Sequence, residues 1–297
     1  MKRILVIGAT GLIGRPVAMQ LKKDGYQVRV LAREIDKARF LFDDSFEFVQ
    51  GDVLIPETIS KALENCDGVH ISLKGGPTPQ SYDQIEHQGT AIVANLAQKA
   101  GIDQLTFLSG ASTSKENSWF YVPKAKYDAE KAIQESGIDF TIFRASWFME
   151  SIPLFIKGSK IIKFGKQISP VHWIASADFA EMVSKSFSKS EAKNKILYIY
   201  GSEQVPLSEA FQTYCTTVRP DLQISTMPIW FLKIIATVSR NAELKDVANL
   251  MDYYEEISEN ADPSETLELF GKPRITLNDW CESQKKAHKE KMPTFTV

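Results

Sequence analysis

The stretch Ile4-Leu5-Val6-Ile7-Gly8-Ala9-Thr10-Gly11-Leu12-Ile13-Gly14 decides the fold. Its continuous apolar run suits a strand buried on both faces. The run ends at a glycine, and Leu12–Lys23 then has helical periodicity, with Gly25 near its end. A glycine triplet alone is a weak signal; between a strand and a helix at the start of a βαβ unit it is strong. The backbone must turn tightly at Gly8 and approach a pyrophosphate closely at Gly11, where a side chain would intrude. Gly14 lets the helix pack against the strand. The helix N-terminus offers free N–H groups and the positive end of its dipole to the phosphates. The sequence therefore predicts a dinucleotide held through Gly8, Thr10, Gly11, Leu12, Ile13 and Gly14. The competing reading is a glycine-rich turn without a ligand.

Working outward, strands at Gln27–Leu31, Phe46–Gln50, Gly68–Leu73, Gln104–Ser109 and Phe140–Phe143 follow the first. Helical stretches separate them: Ala38–Phe42, Pro56–Asn65, Tyr82–Ala100 and Lys124–Ser136. Such alternation implies parallel pairing through right-handed crossovers. The predicted class is α/β, a doubly wound parallel sheet of the Rossmann type, with a small, mostly helical C-terminal substrate region. Residues 1–150 form the dinucleotide-binding core and 151–297 the C-terminal region. One strand near Ile196–Tyr200 returns to the core sheet. The later helices are read at Trp173–Ser186, at Pro206–Thr217 with Ser208 as N-cap, at Trp230–Arg240, at Glu243–Glu259, and after a Thr276 cap through Lys286.

Composition narrows the class. The 297 residues are 43% hydrophobic and 24% charged, which permits an ordinary globular core. A net charge of −2 supplies no global field for nucleic acid or acidic lipid. The basic stretch Lys285, Lys286, Lys289, Lys291 reads as a solvated tail. Cys66, Cys215 and Cys281 show neither metal spacing nor a disulfide framework, which suits a reducing cytosol. His70, His87, His172 and His288 form no metal pattern. No signal-peptide architecture precedes Ile4. The most apolar window, 229–236, falls short of the roughly 20 residues of a spanning helix. The expectation is a cytoplasmic protein without a membrane span and without a metal. The apolar segment Pro228–Val238 reads as a buried helix or pocket lid, with a dimer contact or a touch on a membrane surface as the alternatives.

The residue after the second strand selects the dinucleotide. A carboxylate there accepts from the ribose 2′-hydroxyl of NAD, whereas an arginine accommodates the 2′-phosphate of NADP. Arg33 stands at that position, and its guanidinium fork suits a phosphate. Lys37 adds charge from the next turn. The rival is Glu34, so NADP is favoured over NAD. After the third strand come Gly51-Asp52-Val53. Asp52 either accepts from the adenine amino group or caps the next helix, and Val53 packs on the ring. Leu73, ending the fourth strand, joins the cofactor-binding set.

These residues together resemble the atypical short-chain dehydrogenase/reductase superfamily, and within it the NmrA-like NAD(P)H-binding proteins. The glycine loop, Arg33, Gly51-Asp52-Val53, Lys126-Tyr-Asp-Ala-Glu130 and Ser136 to Arg144 carry the resemblance. So do Asp178-Phe179-Ala180 and Tyr198-Ile199-Tyr200-Gly201, and the likeness covers roughly residues 1–215. It implies a Rossmann core with a C-terminal substrate region. Some members reduce quinones, carbonyls or unsaturated bonds with NADPH; others bind the dinucleotide as redox sensors without turnover.

The resemblance also implies a catalytic set. Active members use a tyrosine acid/base with a lysine four residues later on the same helix face, and a Ser or Thr after the fifth strand. Lys126 matches that lysine and is expected at the nicotinamide ribose. The tyrosine position, however, holds Val122. Tyr121 is adjacent but points about 100° away on a regular helix. Tyr127 and Lys131 have the right spacing but come more than a turn too late. Ser109 is expected to touch cofactor. After the sixth strand, Arg144 is followed by Ala145, where the relatives carry proline. Trp147, Phe148 and Met149 are then either an apolar wall for a flat substrate or plain core packing. The implied activity is NADPH-dependent reduction of a small apolar acceptor, a quinone or carbonyl, with Lys126, Ser109 and Tyr121 as catalytic candidates. The alternatives are a non-catalytic sensor acting on a regulatory protein partner, and a nucleotide-sugar epimerase or dehydratase. A homodimer fits any of these.

Overall fold

A computed structural model describes residues 1–167 and 169–291. The side chains of residues 288–291 lie outside the described set, and with them His288, Lys289 and Lys291. The chain divides into two units. The first comprises Met1–Ala145, Ser176–Ile199 and Ala261–Gly271; the second comprises Ser146–Ala175, Tyr200–Asn260 and Lys272–Val297. The first unit's opening run ends at Ala145, and the chain returns to that unit at Ser176–Ile199 and again at Ala261–Gly271.

The first unit begins with β1 (Arg3–Ile7), α1 (Gly14–Lys23), β2 (Gln27–Ala32), α2 (Ile35–Leu41), β3 (Glu47–Gln50), α3 (Pro56–Leu63) and β4 (Gly68–Ile71). It continues through α4 (Pro79–Tyr82), a π-helical turn (Asp83–Gln88), α5 (Gly89–Lys99), β5 (Gln104–Gly110), α6 (Tyr121–Ser136) and β6 (Phe140–Ala145). The strand Lys195–Ile199 pairs in parallel with β6 and closes a seven-stranded sheet. The other pairings in that sheet are parallel as well, and β1 lies between β2 and β4. The strand order therefore reverses at the β1–β4 crevice, the place where doubly wound sheets bind ligands beyond the carboxyl ends of their strands.

The buried apolar runs follow from this layering, because parallel strands are covered on both faces. Leu5, Ile7, Val69, Ile71, Leu105 and Phe107 pack with Ile59, Val93, Ala97 and Ile133 on one side. Alternate residues Ile4, Val6 and Val28 are equally buried and face the other way. On β4, His70 shares that alternate set. Its Nδ1 lies 2.8 Å from the Thr106 hydroxyl, and burial lowers its pKa to about 3.

Two expectations change in this unit. The helix read over Tyr82–Ala100 is realised as α4, a π-helical turn and α5. The helix α6 begins at Tyr121 rather than Lys124, since Pro123 falls in its first turn, where a missing N–H does no harm.

The second unit has its own core, built on Trp173, Phe211, Met149, Ile152 and Trp280. Trp173 was expected to open a helix; it is fully buried in this core, and the helix starts at Ser176 in the first unit. The helix Leu207–Thr217 starts from Pro206, so Ser208 lies inside its first turn and is not the N-cap. Thr276 does cap the last helix, accepting from the Asp279 amide while Asp279 accepts from Thr276. The apolar helix Ile229–Val238 buries Ile229, Leu232 and Ala236 and exposes Trp230, Phe231, Ile234 and Val238. Among the described residues no helix is long and apolar enough to cross a membrane.

Candidate functional site

The glycine loop has the geometry its sequence requires. Gly8 adopts φ +87°, and a Cβ there would meet the Ser72 carbonyl oxygen at 2.0 Å. A Cβ at Gly14 would stand 2.2 Å from the Gly8 carbonyl oxygen. Gly11 is exposed, and its nearest neighbour would be that same oxygen at 3.1 Å. The loop closes on itself through the Gly11 amide, which donates to Gly8 at 2.9 Å. The amides of Leu12 and Ile13 have no partner among the described residues, and Ile13 offers no capping side chain to α1. Uncapped amides at a helix N-terminus, reached over a residue without a side chain, fit a diphosphate. An open depression of about 540 Å³ adjoins Thr10, Gly11, Leu12 and Arg15. A second, of about 520 Å³, lies at the amino-terminal ends of the strands, around Ile4, Asp67 and Gln104, away from this loop.

Arg33 follows β2 directly and is exposed, as are Glu34 and Lys37. No ion pair engages Arg33 among the described residues; only its carbonyl is held, accepting from the Gln50 side chain at 3.1 Å. Asp52 is half-buried. Its Oδ1 accepts from the Leu54 amide at 2.9 Å, a turn bond preceding α3, whose N-cap position is Ile55. Val53 is buried against the bare Gly89 at the start of α5, where a Cβ would come within 2.7 Å of it. Leu73 is half-buried against the sheet core beside this crevice.

Lys126 is held in place. Its Nζ pairs with Glu86 Oε2 at 2.8 Å, donates to the Leu108 carbonyl at 3.3 Å, and sits 5.6 Å above the Phe107 ring. Glu86 is 2% exposed and lies on the π-helical turn. Its other oxygen accepts from the Gly75 amide at 2.7 Å. Sequence reasoning missed this residue. The signal was present: Tyr82, Glu86, Thr90, Val93 and Ala97 fall on one helical stripe, and Glu86 is the charged member of an otherwise buried face.

Ser109 is buried, and its hydroxyl donates to Glu130 at 2.6 Å. Glu130 in turn takes a two-pronged bond from Arg144, at 3.0 and 2.6 Å, and Arg144 donates to the Tyr198 hydroxyl at 2.6 Å. Lys126 and Ser109 thus occupy adjacent but separate polar networks. Tyr121 opens α6, its ring against Phe120 and Tyr82. Asp83, His87 and Asp128 bring donor atoms within 4.8 Å of one another, but His87 bonds Asp83 and Lys124 pairs with Asp128, so the charges satisfy each other.

The segment Trp147–Met149 belongs to the second unit. Met149 is buried in its core, and Trp147 packs edge-on against Trp173 and Tyr254, with centroids at 5.8 and 4.8 Å. Core packing therefore accounts for Met149 and for much of Trp147, while Phe148 stays half-buried. In the same unit, Ser146 donates to Glu259, and burial pushes the Glu259 carboxyl up to about 7.

Three comparisons bear on this site. A family model described as NAD(P)H-binding matches residues 8–189. Among curated proteins, the photosystem II assembly factor Ycf39 of Trieres chinensis is 26% identical over 242 residues, 79% of this chain and 75% of that protein. The NAD(P)H azoreductase of Xenophilus azovorans is 25% identical over 211 residues, 69% of this chain and 70% of that protein. Among solved structures, an NADPH-dependent quinone oxidoreductase from Escherichia coli superposes with a TM-score of 0.74 at 20% identity, covering 94% of this chain and 99% of that one. The likeness to the solved structure lies in the fold, and the family model, which spans more than half of the sequence and includes most of the glycine loop, shows that the chain belongs to the NAD(P)H-binding family.

Proposed function

We propose that this protein is an NADPH-dependent oxidoreductase acting on a small apolar acceptor of the quinone or carbonyl class. The carrying observation is the glycine loop, with the Leu12 and Ile13 amides just ahead of α1 and the Arg33 guanidinium after β2 unpartnered among the described residues. When bound, NADPH supplies a hydride. The amides of Leu12 and Ile13 bind the diphosphate, with Gly11 leaving room for close approach. Arg33, aided by Lys37, takes the 2′-phosphate. Asp52 and Val53 border the adenine, Leu73 lines the crevice, and Lys126 orients the nicotinamide ribose. Ser109 acts through Glu130 rather than by direct contact, because its hydroxyl is already committed. With valine at 122, the position where the resemblance expects a tyrosine carries no proton donor, and the neighbouring Tyr121 packs its ring against Phe120 and Tyr82. Reduction then draws its proton from water, which suits quinones better than simple ketones. The three cysteines are unpaired, in keeping with a reducing compartment such as the cytosol.

The same valine, with the assembly-factor relatives, favours a second reading: a dinucleotide-binding protein that senses redox state and serves a protein partner. Stopped-flow oxidation of bound NADPH across a panel of quinones and aldehydes separates the two. Acceptor-dependent oxidation, fastest with quinones, supports the reductase. Inertness across the panel, with NADPH binding retained, would replace it with the sensor.

A further inference from the structure

Glu86 is the one carboxylate on the buried stripe that runs through α4, the π-helical turn and α5. A π turn inserts one residue into a helix and re-aims the side chains beside it, and such turns concentrate at functional sites. Here the re-aimed side chain bridges two elements. One oxygen holds the Gly75 amide of the loop after β4, at 2.7 Å, and the other holds the Lys126 ammonium of α6, at 2.8 Å. That loop is tightly seated, since a Cβ at Gly75 would meet the Tyr82 ring at 2.6 Å. Both side chains are largely buried, so each charge needs the other, and the ammonium reaches the site already paired with a carboxylate.

We propose that Glu86 is a positioning residue that neutralises Lys126 and thereby lets the nicotinamide end of the site accept the oxidised dinucleotide. This rests on the reading that Lys126 faces that end. In the reduction of a quinone or carbonyl, the acceptor takes a hydride from the dinucleotide and a proton from water. NADP+ is left with one positive charge more on its ring. A lone ammonium nearby in a low-dielectric setting opposes that charge, whereas an ammonium paired with a carboxylate does not. Glu86 thus sets the balance between the two redox forms of the cofactor. Its bond to the Gly75 amide fixes the carboxylate so that the compensation is permanent.

Calorimetric titrations with NADPH and with NADP+ test this without turnover. They compare wild type, Glu86→Gln, Lys126→Met and the double variant at pH 8. In Glu86→Gln the ratio Kd(NADP+)/Kd(NADPH) rises roughly tenfold, because an uncompensated lysine remains. In Lys126→Met the ratio moves the opposite way, and in the double variant it returns toward wild type. The double variant removes both buried charges together, which proteins tolerate better than removing one, so it remains measurable if Glu86→Gln folds poorly. Equal weakening of both dinucleotides in Glu86→Gln marks a merely structural residue and overturns the proposal, even if Lys126→Met alters binding. No change for either dinucleotide in Lys126→Met removes Lys126 from the nicotinamide end and overturns the underlying reading instead.

Discussion

Gly11 and Gly14 stand three residues apart and exclude side chains for different reasons. A Cβ at Gly14 runs into the Gly8 carbonyl, so Gly14→Ala lowers stability by about 1–3 kcal/mol, seen as an earlier midpoint in urea. Gly11 is open except at 3.1 Å from that oxygen. Gly11→Ala is therefore expected to keep its unfolding midpoint and yet bind NADPH at least tenfold more weakly, roughly 1.4 kcal/mol. Loss of stability without loss of binding would refute this division of roles. Glu259 makes a separate prediction for pH. Its unfolded carboxyl titrates near 4.5 and its folded one at about 7, so the stabilising contribution is complete below 4.5. As pH rises from there to 7, the unfolded chain releases a proton that the folded chain keeps, and about 3 kcal/mol is lost. Glu259→Gln should remove that slope in urea titrations between pH 4.5 and 8. His70 slopes the other way: folded near 3 against 6.5 unfolded, it takes stability away as pH falls below 6.5.

At the scale of elements, α6 is fastened to β6 by the fork between Glu130 and Arg144, with Glu130 buried. Glu130→Ala leaves a guanidinium largely buried and unpaired, and is expected to cost about 3–5 kcal/mol. Glu130→Leu with Arg144→Met should unfold close to wild type; equal destabilisation by single and double variants would contradict the fork's role. Local pattern made the core elements legible, since β1, β3, β4 and β6 are followed directly by Gly8, Gly51, Ser72 and Ser146, and β5 ends on Gly110. It could not show the π turn, because one inserted residue leaves the apolar stripe of Tyr82–Ala97 nearly unchanged. Hence Lys126 was readable from its spacing to Glu130, while its pairing with Glu86, 40 residues earlier, was not, although the buried stripe marked Glu86 itself. Trp173 was misread as helical for a similar reason. Its backbone is set by Gly201, where a Cβ would fall 1.6 Å from the Trp173 carbonyl oxygen, and no local window contains that contact.

At the scale of the whole molecule, the chain builds most of a Rossmann unit, leaves it, and returns with Ser176–Ile199 to supply a helix and the last strand of the sheet. The return strand was legible in Ile196–Tyr200; the re-entry at Ala261–Gly271 was not, because Thr266 is tied to the Tyr198 carbonyl across 68 residues. Ligand binding to the folded state stabilises it by mass action, about 2.7 kcal/mol at a hundredfold excess over Kd. NADPH should therefore raise the thermal midpoint more than NADH at equal concentration, and Arg33→Ala should erase the difference. An unchanged preference in that variant would assign the 2′-phosphate elsewhere. The central claim is more basic: main-chain amides at the start of α1 hold a diphosphate. A crystal structure determined with saturating NADPH tests it most directly. The account predicts phosphate oxygens within hydrogen-bonding distance of the Leu12 and Ile13 amides; a dinucleotide bound away from that loop, or a loop left empty, would contradict it.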